Sequence, residues 1–407
     1  MEDRSVIDEL LIASEKLSNT SLFQDIPELQ NPLSNVESYV NTLAEEILCR
    51  DVKHLSIGIY GGYGSGKSTM LALLEHAVLS TRSADDGVFV IKFEAWRFER
   101  EESLFVPLLL TIREQLASSD EKLYENITLA CKAFLTGLKF KLGIVEWKAN
   151  ESLVKENELK NKGLISASIN SFNIFKEFSD SGKRKIIILV DDLDRCFPDK
   201  ALELLESIKS YLNIDGFVFV FALDPRVIKT YVSSKYGNGF EIDAEEYLRK
   251  IIQVPINVPL QKNSDIIKFI EQANLSSVSR NAVMKIAKYL PKNFRQIKRL
   301  LNKFHIVKMS NQSFSEDDFL ISLVLLQSEW PEYFEIISSN VTLFSELWSK
   351  CRQNNESYSV KGYQELSGSL ERAVQDSRFV DFYENNLYQF LRYPDTCENY
   401  FDVLGKI

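Results

Sequence analysis

Histidine is nearly missing from this chain. Its three copies, His54, His76 and His305, lie far apart in 407 residues. Neither a histidine-based metal site nor a Ser/His/Asp order can be argued from them. Cysteine is also sparse. The five, Cys49, Cys131, Cys196, Cys351 and Cys397, are scattered with no Cys-x-x-Cys pair, which points to free thiols in a reducing compartment. Long apolar runs are lacking too. Leu104 to Ile112, among the longest, is interrupted by Pro107 and is too short to span a bilayer. The opening Met1-Glu2-Asp3-Arg4 is no secretion signal. Positive charge is in deficit: 48 Lys and Arg against 58 Asp and Glu leave a net charge of −10. That balance disfavours a dedicated nucleic-acid coat protein, although a local basic patch is compatible with it. The expectation is a cytoplasmic protein with no membrane role, long enough for two or three domains.

What is present concentrates in one stretch. Leu55 to Tyr60 is an apolar run with alternating isoleucines, the pattern of a buried strand. Gly61-Gly62-Tyr63-Gly64-Ser65-Gly66-Lys67-Ser68 then fits the phosphate-binding pattern Gly-x-x-x-x-Gly-Lys-Ser. Its glycines let the backbone curl and turn N–H groups inward. From Thr69 onward Met70-Leu71-Ala72-Leu73-Leu74-Glu75 are helix formers, so a helix N-terminus faces the same hollow. The loop, Gly61 through Thr69, is therefore the candidate ATP cradle. Lys67 is expected to reach the β- and γ-phosphates, and Ser68 to hold Mg²⁺.

Further strands are expected at Gly87–Phe93, Lys185–Val190, Phe217–Leu223 and Ile251–Pro255, with a helix at Ala201–Leu212. Strands alternating with helices predict an α/β fold with a parallel sheet covered on both faces. A helix at Val6–Leu17, a turn at Asn31-Pro32-Leu33 and a helix through Val36, Tyr39, Val40, Leu43, Ile47 and Leu48 lead in over 1–50. The nucleotide domain spans 51–260, with a helical insertion at about 103–180. A helical lid (261–310) and an all-α C-terminal region (311–407) follow.

The third strand ends in Asp191-Asp192-Leu193-Asp194-Arg195. An acid at the end of a strand neighbouring the phosphate loop is where Mg²⁺ is held through water, which assigns Asp191. In the branch of phosphate-loop enzymes with an extra strand between these two motifs, the position that Asp192 resembles holds the acid that polarises the attacking water, and Asp194 is the other candidate for that role. Alternatively Asp194 and Arg195 pair with each other or cap the next helix. Asp224, at the end of the fourth strand, either orients water and senses the γ-phosphate or caps the helix after it. Glu94 occupies a comparable position after the second strand, where a solvated acid is the simpler expectation, and Trp96 reads as packing. Arg295 could touch the γ-phosphate within the chain, and Arg249 could reach a neighbouring copy's nucleotide. As ordinary charges, Arg295, Lys298 and Arg299 form a basic face that could also meet a nucleic-acid backbone.

These motifs resemble the KAP P-loop NTPases, relatives of the AAA+ and STAND groups. The matching pieces are the phosphate loop, Phe93-Glu94-Ala95-Trp96-Arg97, Asp191-Asp192-Leu193-Asp194-Arg195-Cys196, Phe221-Ala222-Leu223-Asp224 and Asn293-Phe294-Arg295-Gln296-Ile297-Lys298-Arg299. Departures are Tyr63 where Trp is usual, Phe294 where Pro is usual, and a helical insertion where many members carry membrane spans. The resemblance implies ATP binding and hydrolysis with Mg²⁺, a homo-oligomer or a partner protein, and a link to phage exclusion and anti-phage defence. Competing classes are a small-molecule phosphotransferase and an ATP-binding module without turnover. A GTPase is disfavoured because Asn302-Lys303-Phe304-His305 lacks the acid of Asn-Lys-x-Asp.

Overall fold

The computed structural model describes residues 22–23, 34–49, 54–82, 87–116, 125, 128, 184–236, 243–272, 279–310, 314–354, 372–391 and 394–405. The expected helix at Val6–Leu17, the turn at Asn31-Pro32-Leu33 and most of the expected insertion lie outside these. The chain divides into two compact units, Pro27–Pro259 and Met1–Ile26 with Leu260–Ile407.

The first unit is built on a parallel sheet of five strands: β1 (Leu55–Tyr60), β2 (Val88–Glu94), β3 (Lys185–Asp191), β4 (Phe217–Leu223) and β5 (Val254–Asn257). Their spatial order is β2-β3-β4-β1-β5. β4 thus lies between the strand that carries the phosphate loop and the strand that carries the acids. Two of the strands read as unbroken apolar runs because both of their faces are covered. Ile186, Ile188 and Val190 of β3, with Phe217, Phe219 and Phe221 of β4, pack into one core. Ile187, Leu189, Val218, Val220 and Ala222 alternate to the opposite core with Ile57 and Ile59.

The helices α1 (Ser34–Leu48) and α2 (Lys67–Thr81) cover this second face. The other face is covered by α3 (Phe105–Leu116), α4 (Pro198–Tyr211), α5 (Pro225–Tyr236) and α6 (Ala244–Ile251). α1 has no basic residue in its last turn. Lys185 of β3 supplies the charge: its buried Nζ donates to Ile47 O at 2.6 Å and to Cys49 O, closing carbonyls that the helix end leaves open.

The fifth strand begins later than its apolar pattern predicts. Asp243 caps α6 by accepting from the Glu245 N–H, and acids at the start and bases at the end suit the helix dipole. Leu248 and Ile251 are drawn into the core from this helix, so the strand starts only at Val254. Pro255 is tolerated there because, among the described strands, β5 is at the edge and pairs with β1.

The second unit is helical. It holds α7 (Asn263–Gln272), α8 (Arg280–Ile286), α9 (Phe294–Ser310), α10 (Asp317–Glu329), α11 (Pro331–Ser339), α12 (Val341–Asn354), α13 (Ser377–Phe382), α14 (Tyr388–Leu391) and α15 (Pro394–Leu404). A single core runs from Ile266 to Leu404. Its centre is aromatic: Trp348 and Tyr383 are 4.5 Å apart and Trp330 and Phe382 are 5.0 Å apart, ring centre to ring centre. No described helix is long and apolar enough to cross a membrane.

Candidate functional site

The phosphate loop leaves β1 at Gly61, whose N–H donates to Leu223 O at 3.3 Å, so its start is level with the end of β4. Gly66 has φ +104 and is the residue from which α2 begins. An L side chain would be strained in that conformation. A Cβ on Gly61 would lie 2.3 Å from Ser65 Oγ, so a side chain there would force the Ser65 hydroxyl to move. The Ser65 hydroxyl is buried without a hydrogen-bond partner. A polar atom left in this way inside a loop of inward N–H groups fits an oxyanion ligand such as phosphate.

Lys67 Nζ donates to Gly61 O at 2.9 Å and Gly62 O at 3.2 Å, and forms an ion pair with Asp194 Oδ2 at 3.0 Å. The same Asp194 oxygen accepts from the Asp224 N–H at 3.0 Å. Asp194 therefore ties the loop lysine to the end of β4. It pairs neither with Arg195 nor with the helix that follows: α4 begins after Phe197 with no side-chain cap.

Asp192 is the one non-glycine residue with positive φ among those described, at +56. Its carboxylate pairs instead with Arg195, Oδ1 to Nε 2.8 Å. Burial, then the neighbouring Asp191 charge, raise its pKa above the ordinary value, partly offset by Arg195. Asp191 Oδ1 accepts from the Asp192 N–H at 2.8 Å. Ser68 lies in the first turn of α2, and the hydroxyl and carboxylate oxygens of Ser68 and Asp191 are the hard donors that Mg²⁺ takes.

Asp224 caps α5, accepting from the Arg226 N–H at 3.0 Å. It also grips the Arg226 side chain, with Nη2 to Oδ2 at 2.6 Å. These hydrogen bonds hold its carboxyl below the usual pKa. Glu94 lies opposite Asp191 in the β2–β3 register and pairs with Arg97 at 2.6 Å. Trp96, expected to be packing, is half exposed. The Arg195 guanidinium lies 5.3 Å from its ring centre and 6.0 Å from that of Tyr63. Such contacts are worth about 0.5–1 kcal/mol where exposed. Cys196 sits behind these acids, and burial, with the Glu99 charge second, pushes its thiol up to about 12.

The two other candidate arginines are carried by α6 and by the helical unit. Arg249, on α6, is exposed and 3.8 Å from Glu245 one turn earlier. Arg295 belongs to the helical unit, at the start of α9, where Asn293 Oδ1 accepts from its N–H at 3.0 Å. Val36 of α1 is buried in the sheet core. Sequence reasoning missed Arg226. Its signal was the spacing Asp224-Pro225-Arg226 at a strand end, where proline starts a helix and turns the next residue back on the acid.

A model described as the KAP family P-loop domain matches residues 36–311. The phage T7 exclusion protein of Escherichia coli is 22% identical over 272 residues, covering 60% of this chain and 35% of that protein. The human kinase D-interacting substrate of 220 kDa is 21% identical over 173 residues, 40% of this chain and 10% of that protein. The chain thus spans a small part of these relatives. Among solved structures, the Aeropyrum pernix ORC2 protein aligns over 95% of this chain and 97% of its own at 12% identity, with a TM-score of 0.42. Drosophila ORC bound to DNA aligns over 96% and 83% at 11% identity, with a TM-score of 0.43.

Proposed function

The chain belongs to the KAP family of P-loop domains, and on that premise we propose that it is a magnesium-dependent ATPase acting as a nucleotide-driven switch. The observation that carries this reading is the Lys67–Asp194 ion pair together with the Asp194–Asp224 hydrogen bond. Lys67 is the loop's cation for the β- and γ-phosphates. Incoming phosphates compete with Asp194 for it, so nucleotide binding would loosen the tie between the loop and the end of β4. Hydrolysis would restore it. Such a two-state contact is what a switch needs.

In the chemical step Asp192 takes the proton from the attacking water, and its raised pKa suits a base. Asp194 is the alternative base, already engaged by Lys67 and the Asp224 N–H. Ser68 and Asp191 would hold Mg²⁺, which would neutralise charge on the phosphate oxygens. Arg295 within the chain and Arg249 toward a second copy are the candidate arginine fingers, each worth about 10³–10⁵ in rate where one operates. The relation to a phage exclusion protein supports a role in anti-phage defence with a partner protein.

The test is ATP hydrolysis by the wild type and Asp192→Asn over a range of protein concentrations, with bound nucleotide assayed. We expect turnover in the wild type and retained ATP without turnover in the variant. Loss of turnover in Asp194→Asn, with Asp192→Asn active, would transfer the base to Asp194. The Arg195–Asp192 pair favours a second reading, an ATP-holding module whose base is occupied. Tight nucleotide binding with no turnover at any concentration would establish that reading and overturn the first.

A further inference from the structure

Arg226 stands beside the phosphate loop without a role in any motif. A Cβ on Gly62 would lie 3.0 Å from Arg226 Nη2 and 4.0 Å from Asp224 Oδ2. The guanidinium therefore rests against the bare α-carbon of Gly62. The carbonyl of the same residue accepts from Lys67 at 3.2 Å. The loop's lysine and Arg226 flank one glycine, and that lysine marks where β- and γ-phosphates arrive.

The arginine is held in place. Its Nε donates to Asp224 Oδ1 at 3.0 Å and Oδ2 at 3.2 Å, and Nη2 donates to Oδ2 at 2.6 Å. Asp224 is itself only 8% exposed and is anchored through its N–H to Asp194. By contrast the Arg226 side chain is 77% exposed. Asp224 occupies one edge of the guanidinium fork, and the outer amino group is left toward solvent. An anion can take that outer edge without breaking the inner pair. A planar fork fixed in this way before the ligand arrives loses little entropy when it binds a phosphate.

We propose that Arg226 is a ligand-contacting residue that recognises the terminal phosphate of a nucleoside triphosphate, and so makes the site distinguish triphosphate from diphosphate. The inference rests on reading the phosphate loop as a nucleotide site. It assigns the discrimination to a residue two places beyond the end of β4 rather than to the loop. Asp224 is then a positioning residue, and Gly62 leaves the guanidinium room to lie against the loop.

The experiment is equilibrium binding of ADP and of the β,γ-imido analogue of ATP, with Mg²⁺, to the full chain as wild type, Arg226→Ala and Arg226→Lys. The expected result for Arg226→Ala is a loss of about tenfold to a hundredfold for the analogue with ADP within about twofold, the size of one charge-assisted hydrogen bond. Arg226→Lys should regain part of the loss, because it keeps the charge but not the fork. Equal weakening of both nucleotides would overturn the proposal and leave Arg226 as a support of the loop. Unchanged affinities would overturn it as well. A wild type that binds neither nucleotide would overturn the nucleotide reading itself, before any variant is compared.

Discussion

The two units of this chain are stabilised by different materials. The sheet unit is built on branched aliphatics and a phenylalanine ladder: Ile186, Ile187 and Ile188 of β3 face alternate cores beside Phe217, Phe219 and Phe221 of β4. The helical unit is centred on large aromatics, with Trp348, Phe344, Phe379, Phe382 and Tyr383 nearly or fully buried. The difference follows from geometry. Strands packed 4.7–4.9 Å apart favour β-branched side chains. Helices packed 8–10 Å apart leave space that rings fill. The chemistry divides in the same way. Of the candidate site residues, Lys67, Asp191, Asp192, Asp194, Asp224 and Arg249 belong to the sheet unit and Arg295 to the helical unit.

Three substitutions sharpen or break that division. The largest effect is expected from Lys67→Ala, which should abolish ATP binding. It should also remove the ligand-induced rise in thermal stability, about 2.7 kcal/mol when ligand is a hundredfold above its Kd. Unchanged ATP affinity, measured by calorimetry, would sink the nucleotide reading. Next is Trp348→Ala. Removing a ring from a filled aromatic core should destabilise the helical unit by about 3–5 kcal/mol, read as an earlier unfolding transition in denaturant. ATP affinity should survive below that transition. Its parallel loss would mean that the aromatic core supports the site and that the division is false.

The smallest effect is a pH dependence. The Arg226 hydrogen bonds hold the Asp224 carboxyl below its ordinary pKa. A depressed folded pKa contributes stability that is present above the unfolded value, near 3.9, and is lost as pH falls through the folded one. The stability difference between wild type and Asp224→Asn should therefore be full at neutral pH and close as the solution is acidified past that range. A difference that stays constant from neutral to acid pH would mean that the pair contributes nothing through charge.

Legibility in the sequence followed the range of the interactions. Strands β1 and β4 were legible to the residue because their apolar runs end at the loop glycine and at Asp224. The start of β5 was not. Ile251 and Ile252 look like a strand until the Asp243 cap and the amphipathic face of α6 claim them for a helix end. Of the acids, Asp191 and Asp192 were legible as a pair at a strand end. The partner of Asp194 was not, because Lys67 lies 127 positions before it in the chain and an ion pair across that separation leaves no spacing to read. Trp96 was legible as packing, but the cation it packs against was not. Its neighbour Arg195 arrives from the short helical turn that follows β3.

By itself the sequence determined the phosphate loop, the apolar strands of a parallel sheet and the acids that close one of them. Those features depend on backbone conformation and side-chain period, which are set within a few residues of each other. Tertiary structure decided the order β2-β3-β4-β1-β5, and with it which strand end faces the loop. It also decided that Asp194 takes Lys67, that Asp192 takes Arg195, and that Arg226 lies against Gly62. Charges pair with whatever the fold brings within about 4 Å, and several acids here were eligible for each cation. Strand order and loop closure chose among them.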